Sequence, residues 1–306
     1  MENKKSFKCG VVSIVGRPNT GKSTLLNKIV DEKIAIVSKI PQTTRNQIRG
    51  IYNDERGQII FIDTPGFHYA RDNFDKLMNQ SSSVAMQDMD CIIYLVDANK
   101  RIGEEEEIVA SKLKGVKCPL VLGLNKVDLK GGKIPEYIAF WERIKGKPIN
   151  EIDDFTLLPI AGERGTNIEK LIDILFSYLP EGPALYPTDI ISDVPKKMVI
   201  SDIIREKFLR ILRQEIPHSL GVFIEHMQPR RGKVLHIKVV VFIEKMSQKE
   251  IVIGRNGKVL KQVGTQARAE LEELLESKVF LDLHVKVQKN WRDKLSFLQE
   301  VGYETR

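Results

Sequence analysis

Gly16-Arg17-Pro18-Asn19-Thr20-Gly21-Lys22-Ser23 is the stretch that decides how this chain folds. It follows the apolar run 11–15 and precedes a helical pattern that lasts to residue 30. Glycines at both ends let consecutive backbone N–H groups turn inward at the positive end of the following helix, which is how a chain cradles phosphate. Lys22 can reach β- and γ-phosphates, and the Ser23 hydroxyl can ligate Mg²⁺. The strand before and the helix after supply the context that the Gly-x4-Gly-Lys-Ser pattern needs. Asn19, Thr20, Gly21, Lys22, Ser23 and Thr24 are therefore the first candidate contacts to a nucleoside triphosphate.

Outward from this loop, short β-rich runs at 11–15, 48–53, 58–62, 91–96, 120–124 and 155–158 alternate with helical patterns at 21–30, 72–88, 104–114, 133–145 and 167–179. Runs 48–53 and 58–62 form a hairpin around Asp54-Glu55-Arg56-Gly57. This alternation predicts an α/β P-loop domain with a mostly parallel sheet and helices on both faces. Residues 104–107, all glutamate, read as a solvated first helical turn, where negative charge suits the helix dipole.

Three further motifs complete a nucleotide site. Asp63-Thr64-Pro65-Gly66 follows the run 58–62, so Asp63 can hold Mg²⁺ and the Gly66 N–H can sense a γ-phosphate. Asn125-Lys126-Val127-Asp128 follows the run 120–124. The Asp128 carboxylate can accept from the N1–H and N2–H₂ of guanine, a donor pair that adenine lacks. Lys126 can cover the base, and Asn125 can tie this loop to the phosphate loop. Pro41-Gln42-Thr43-Thr44-Arg45 lies in the polar stretch where a γ-phosphate sensor belongs, with Thr44 the preferred Mg²⁺ ligand and Thr43 the alternative. GTP or GDP with Mg²⁺, held by Ser23, Thr44 and Asp63, is the expected occupant.

The chain has 306 residues, 42% apolar and 29% charged, which suits a globular protein of two domains. No run approaches the roughly 18 uncharged apolar residues of a membrane span. The start is too polar for a secretion signal. Cys9, Cys91 and Cys118 lack metal-ligand spacing and read as reduced, buried thiols. The whole net charge of +7 lies in residues 190–306, which hold 22 Lys/Arg against 15 Asp/Glu. A neutral nucleotide domain joined to a basic module points to a polyanionic partner, nucleic acid or an anionic membrane surface. Leu179-Pro180-Glu181-Gly182-Pro183, with Pro187 and Pro195 beyond, marks the boundary. We expect a nucleotide domain over 1–180, a linker over 181–197 and a second domain over 198–306.

The second domain predicts helix 199–215, strands 220–228 and 234–243, helices 248–253 and 257–276, and strand 279–287. Gly254-Arg255-Asn256-Gly257 falls between the last two helices, after Ile251-Val252-Ile253. Glycines there let backbone approach a sugar-phosphate chain, so the order reads as an α+β, type II KH domain for single-stranded RNA. Ile251 and Ile253 would line a groove for unstacked bases. Arg255, Asn256, Lys258, Lys261, Lys289 and Arg292 are candidate RNA contacts, with Arg268, Lys286 and Lys294 further basic neighbours. Trp291 reads as packed on the KH body rather than stacked on a base.

Gly-x-Pro-Asn-x-Gly-Lys-Ser, Gln-Thr-Thr-Arg, Asp-Thr-Pro-Gly and Asn-Lys-x-Asp, in this order, resemble the Era/TrmE group of bacterial GTPases. Ile204-Arg205-Glu206-Lys207, Glu215-Ile216-Pro217-His218-Ser219, the Gly254–Gly257 turn and Trp291-Arg292-Asp293 narrow the resemblance to the Era family. It covers residues 8–303. The resemblance implies a slow GTPase, with Lys22, Thr44 and Gly66 as its catalytic residues, that binds single-stranded RNA near the 3′ end of 16S ribosomal RNA and assists 30S subunit maturation. It implies a cytoplasmic monomer, with peripheral attachment to the inner face of the membrane as the rival setting for a regulatory GTPase. Where the family carries a Ser-Ala pair to contact guanine O6, this chain has Ala161-Gly162, which removes a hydroxyl brace. Phe67 stands where other GTPases place a water-orienting Gln, and His68 beside it reads as an exposed loop residue. Asn19 matches a residue that in some relatives helps to bind K⁺, a further candidate cofactor.

Overall fold

The computed structural model describes residues 6–38, 40–130, 132–213, 216–230 and 234–303. Its first part runs β1 (Lys8–Val15), α1 (Lys22–Val30), β2 (Ile48–Asp54), β3 (Gly57–Asp63), α2 (Asn73–Val84), β4 (Cys91–Asp97), α3 (Glu104–Leu113), β5 (Leu120–Asn125), α4 (Ile134–Lys145), β6 (Phe155–Pro159) and α5 (Ile168–Tyr178). The strands form one sheet in the order β2-β3-β1-β4-β5-β6. Only β2 runs antiparallel to its neighbour; β1, β3, β4, β5 and β6 pair in parallel. Strands β3 and β4 are buried along their whole length, as an apolar strand covered on both faces must be. One core lies on each face: Leu25, Phe61, Ile93 and Leu175 on one side, Tyr94, Leu122, Phe140 and Trp141 on the other. Because the central strands are parallel, the loops after them gather along one sheet edge. That edge is where ligands sit in open α/β sheets.

The second part runs α6 (Lys196–Ile211), α7 (Ile216–Ser219), β7 (Gly221–Arg230), β8 (Val234–Ile243), α8 (Met246–Ile253), α9 (Lys258–Leu274), β9 (Lys278–Val287) and α10 (Leu295–Glu300). Its sheet has the order β7-β8-β9, antiparallel then parallel. Ile237, Val239, Val241 and Ile243 alternate along β8 into a core with Ile204 and Phe208 of α6 and Val263 and Leu271 of α9. The helix expected over 199–215 instead spans Lys196–Ile211: Leu212 turns extended (φ −80, ψ 152) and buries its side chain in that core. Gln214 and Glu215 lie outside the described residues. The short α7 and α10 were not anticipated, being too brief to show a helical period.

Residues 181–197 do not hang free. Gly182 N donates to the Phe7 carbonyl (3.0 Å), Ile51 N to the Ile191 carbonyl (2.7 Å), and Ser192 Oγ to the Arg49 carbonyl (2.6 Å). The Gln58 side chain accepts from Leu185 N (2.8 Å) and Tyr186 N (2.9 Å). The segment is thus strapped along β2 before Pro195 starts α6. A further small core, Phe74, Met78, Trp291 and Leu298, joins α2 to the C-terminal segment. Among the described residues, no helix is long and apolar enough to cross a membrane.

Candidate functional site

The phosphate loop closes β1 and opens α1, with Lys22 as the first helical residue. Lys22 Nζ donates to the carbonyls of Gly16 (3.2 Å) and Arg17 (3.0 Å), folded back over the loop. Burial lowers its pKa to about 8, against the pull of Asp63, Glu106 and Glu105. Ser23 Oγ lies 2.6 Å from Asp63 Oδ2 and 2.8 Å from Thr44 Oγ1. Asp63 is fully buried, burial pushes its pKa up to about 6, and its Oδ1 has no hydrogen-bond partner. A buried carboxylate with an orphaned oxygen, facing two hydroxyls, is a hard all-oxygen donor set that fits Mg²⁺. Thr43 is drawn elsewhere: its Oγ1 donates to the Ile40 carbonyl at 2.6 Å. The geometry therefore favours Thr44 over Thr43.

Gly66 backs directly onto the phosphate loop. A Cβ there would stand 2.5 Å from Pro18 N, so no larger residue fits this approach. The Phe67 N–H donates to the Gly16 carbonyl (3.2 Å), which locks the two loops together, and the Phe67 ring is buried. His68 is a correction to the sequence reading: it is buried rather than exposed. Its Nδ1 meets the Gly66 carbonyl at 2.8 Å and its Nε2 lies 3.1 Å from Asp75 Oδ1. Burial alone would lower the imidazole pKa, but the Asp75 carboxylate and the Gly66 carbonyl outweigh it and raise the value.

Asn125 spans three loops, its Nδ2 donating to the Thr20 carbonyl (2.7 Å) and its Oδ1 accepting from Gly162 N (2.9 Å). Lys126 Nζ donates to the Asn19 carbonyl (2.7 Å) and pairs with Asp97 (2.8 Å), a partner that the sequence did not suggest. Asp128 Oδ2 lies 3.0 Å from Arg164 Nε, whose side chain is 69% exposed and free to swing away. Ala161 exchanges backbone hydrogen bonds with Thr166, which close its loop. Asn19, Gly21, Thr24, Lys126, Leu129 and Glu163, with Leu209 and Arg210 of α6, line an open pocket of about 830 Å³ beside the phosphate loop.

Glu106 is a second correction. It is fully buried, paired to Arg17 Nε of the phosphate loop at 2.7 Å, and it accepts from the Tyr94 hydroxyl. The run 104–107 is thus solvated except where one carboxylate turns inward to hold Arg17.

In the second domain, Gly254 (φ 75), Asn256 (φ 52) and Gly257 (φ 74) make a tight turn between α8 and α9. Arg255, Asn256, Lys258 and Lys261 are exposed or half-buried on and just after it. Ile251 points outward (52% exposed), Val252 inward, and Ile253 is half-buried. Lys289 is exposed but follows β9, whose end pairs with Ile243 just before α8. Arg292 corrects the reading as a phosphate contact. It is buried, its Nε and Nη2 reach Asp72 Oδ2 (2.5 Å) and Asp75 Oδ1 (2.7 Å) of the first domain, and its Nη1 donates to the His218 carbonyl (2.7 Å). Trp291 is buried, with Nε1 donating to the Ser219 carbonyl (2.9 Å) and its ring 5.4 Å from Phe74.

Residues 11–126 match the model of the 50S ribosome-binding GTPase family, and residues 215–292 match that of the KH domain. The chain is 42% identical over 299 residues to GTPase Era of Halothermothrix orenii, covering 98% of this chain and 99% of the relative. The chain belongs to the Era GTPase family. A crystal structure of Era with MgGDPNP and nucleotides 1506–1542 of 16S ribosomal RNA aligns with TM-score 0.91 at 32% identity, covering 98% of this chain and all of the other. A point variant of Aquifex aeolicus Era bound to GDP·AlF4⁻ aligns with TM-score 0.89 at 34% identity over the same shares. The α/β GTPase domain followed by a KH domain is therefore the Era architecture, with β7, β8 and β9 as the KH sheet.

Proposed function

We propose that this Era-family GTPase binds single-stranded RNA at the 3′ end of 16S ribosomal RNA, hydrolyses GTP slowly, and assists 30S subunit maturation. The observation that carries this reading is the full-length likeness to an Era solved with a GTP analogue and that RNA segment. In our reading the G domain covers 1–180, a strap 181–197, and the RNA-binding domain 198–306.

Asp128 would select guanine, with Lys126 along the base and the backbone at Ala161 and Gly162 at its O6 edge. The loop N–H groups from Asn19 to Thr24 would cradle the phosphates. Ser23, Thr44 and Asp63 would hold Mg²⁺, which supplies charge neutralisation at the β- and γ-oxygens. Lys22 would leave its two carbonyl partners for the γ-phosphate, where its charge opposes the negative charge that develops there. Gly66 would donate its N–H to the same phosphate. Phe67 is buried and cannot orient water, so backbone of the Thr44 and Gly66 loops would do so, which supports slow turnover. RNA would lie over Ile251, Ile253 and the Gly254–Gly257 turn, with Arg255, Asn256, Lys258 and Lys261 at its phosphates and Lys289 farther along the strand.

We also propose that K⁺ near Asn19 accelerates hydrolysis; equal rates in K⁺ and Na⁺ would dispose of that part. RNA crosslinked to the chain in cells, recovered with GTP and GDP analogues, tests the whole reading. Recovery of 3′-terminal small-subunit RNA supports it. RNA-independent binding to acidic vesicles with no such RNA recovered would favour the membrane setting instead.

A further inference from the structure

The Ile204-Arg205-Glu206-Lys207 stretch carries family resemblance but touches neither nucleotide nor RNA in the reading above. Arg205 is 2% exposed, held by Asp202 at 3.1 Å, and its Nη2 donates to the Thr43 carbonyl across the domain boundary. Two residues along the same loop, Arg45 is 4% exposed and points the other way, into the KH domain. Its Nη1 donates to the Leu220 carbonyl (2.7 Å) and its Nη2 to the His218 carbonyl (3.2 Å). The guanidinium also lies 5.2 Å from the Phe74 ring centre and 6.0 Å from that of Trp291. Between these two anchors sits Thr44, whose hydroxyl faces Ser23 at 2.8 Å.

We propose that Arg45 and Arg205 are positioning residues for GTP hydrolysis, through which the docked KH domain brackets Thr44 and sets its hydroxyl at the Mg²⁺ and γ-phosphate site. The bracket pins backbone on one side of Thr44 and a side chain on the other, so the loop cannot pivot about either neighbour. Arg suits position 45 because two carbonyls need a planar fork, which an ammonium cannot supply. The contact is also costly to hold. Arg45 Nε and Arg205 Nη1 are buried without partners. Such a contact persists while the domains are docked and lets go when they part, which is the behaviour of a two-state element. Coupling between RNA and GTP then passes directly through this bracket rather than along the 181–197 strap.

This inference rests on Thr44 as the γ-phosphate-side ligand, and the experiment separates the two claims. Single-turnover GTP hydrolysis and equilibrium affinities for GDP and a non-hydrolysable GTP analogue are measured on the full chain, as wild type, Arg45→Met, Arg205→Met, Arg205→Lys and the Arg45→Met/Arg205→Met pair. Each Met variant should slow hydrolysis by about tenfold or more, because a small misplacement of a reacting group is expensive. It should weaken the analogue while leaving GDP within about twofold. The double variant should be little worse than the worse single, since both act on one loop. Arg205→Lys should recover part of the loss. Folded variants with wild-type hydrolysis, or a parallel fall in GDP and analogue affinity, would overturn the bracket. If Arg45→Met does not fold, the two Arg205 variants decide. A wild type that neither hydrolyses GTP nor prefers its analogue with Mg²⁺ would instead remove the reading on which the bracket stands.

Discussion

Asp128 illustrates what a single carboxylate can decide. Its oxygen waits beside the exposed Arg164 guanidinium, and guanine offers two donors in its place. Asp128→Asn should raise the Kd for GTP by about tenfold to a hundredfold, since an amide N–H₂ then faces one of guanine's two donors where a carboxylate oxygen would have accepted it. It should also create affinity for xanthosine triphosphate. Competition binding checks both, and unchanged GTP affinity contradicts the assignment. His68 gives a pH signature. Its folded-state pKa lies above the ordinary 6.5 through Asp75 and the Gly66 carbonyl, so the fold favours the imidazolium. That contribution is fully present below about pH 6.5 and lost as pH rises through the raised value. Urea unfolding should thus show stability falling as pH rises above about 6.5, and His68→Gln should flatten the fall; an equally steep fall in the variant removes His68 as its source. That Ser23 meets Asp63 and that Asn125 ties its loop to the phosphate loop was legible in the sequence, because the motifs that carry them follow strands of one parallel sheet. The settings of Glu106, His68 and Arg292 were not, because the partners that bury them, Arg17 and Asp75, lie on other elements.

At the scale of elements, the glycine turn between α8 and α9 separates stability from binding. A Cβ on Gly254 would meet Val259 Cγ2 at 2.5 Å and Val259 N at 2.8 Å, whereas one on Gly257 would meet nothing within 4 Å. Gly254→Asp should therefore cost about 2–4 kcal/mol of stability through overpacking and left-handed strain. Gly257→Asp pays the strain alone, about 1–2 kcal/mol, yet places a negative charge against RNA phosphates. Thermal melts and RNA titrations together should show Gly257→Asp folded but binding at least about tenfold more weakly. If Gly257→Asp binds RNA as the wild type does, the turn is not the RNA face. The strands were readable to within a few residues, since buried parallel strands are continuous apolar runs bounded by turns. Helix ends were less so: Leu212 leaves the helix to fill the core, a tertiary preference that overrides local propensity.

For the whole molecule, order along the chain revealed a nucleotide unit followed by a basic one, but not their mode of contact. The structure joins them through Arg45, Arg205 and Arg292, through Trp291 on Phe74, and through Lys33 paired with Glu206 and Glu270 at 2.7 Å each. The motifs that hold Arg45, Arg205 and Arg292 are visible in the sequence, but their partners across the domain boundary are not, since no period or spacing links segments so far apart. Because they meet the Thr44 and His68 loops directly, nucleotide and RNA should affect each other's binding reciprocally. The decisive measurement is a calorimetric titration of the full chain with a single-stranded 3′-terminal 16S segment, run with Mg²⁺ and either GDP or a non-hydrolysable GTP analogue. We predict tight, salt-sensitive binding whose affinity differs between the two nucleotides by about fivefold or more. No binding, or the same affinity whichever nucleotide fills the pocket, would contradict it.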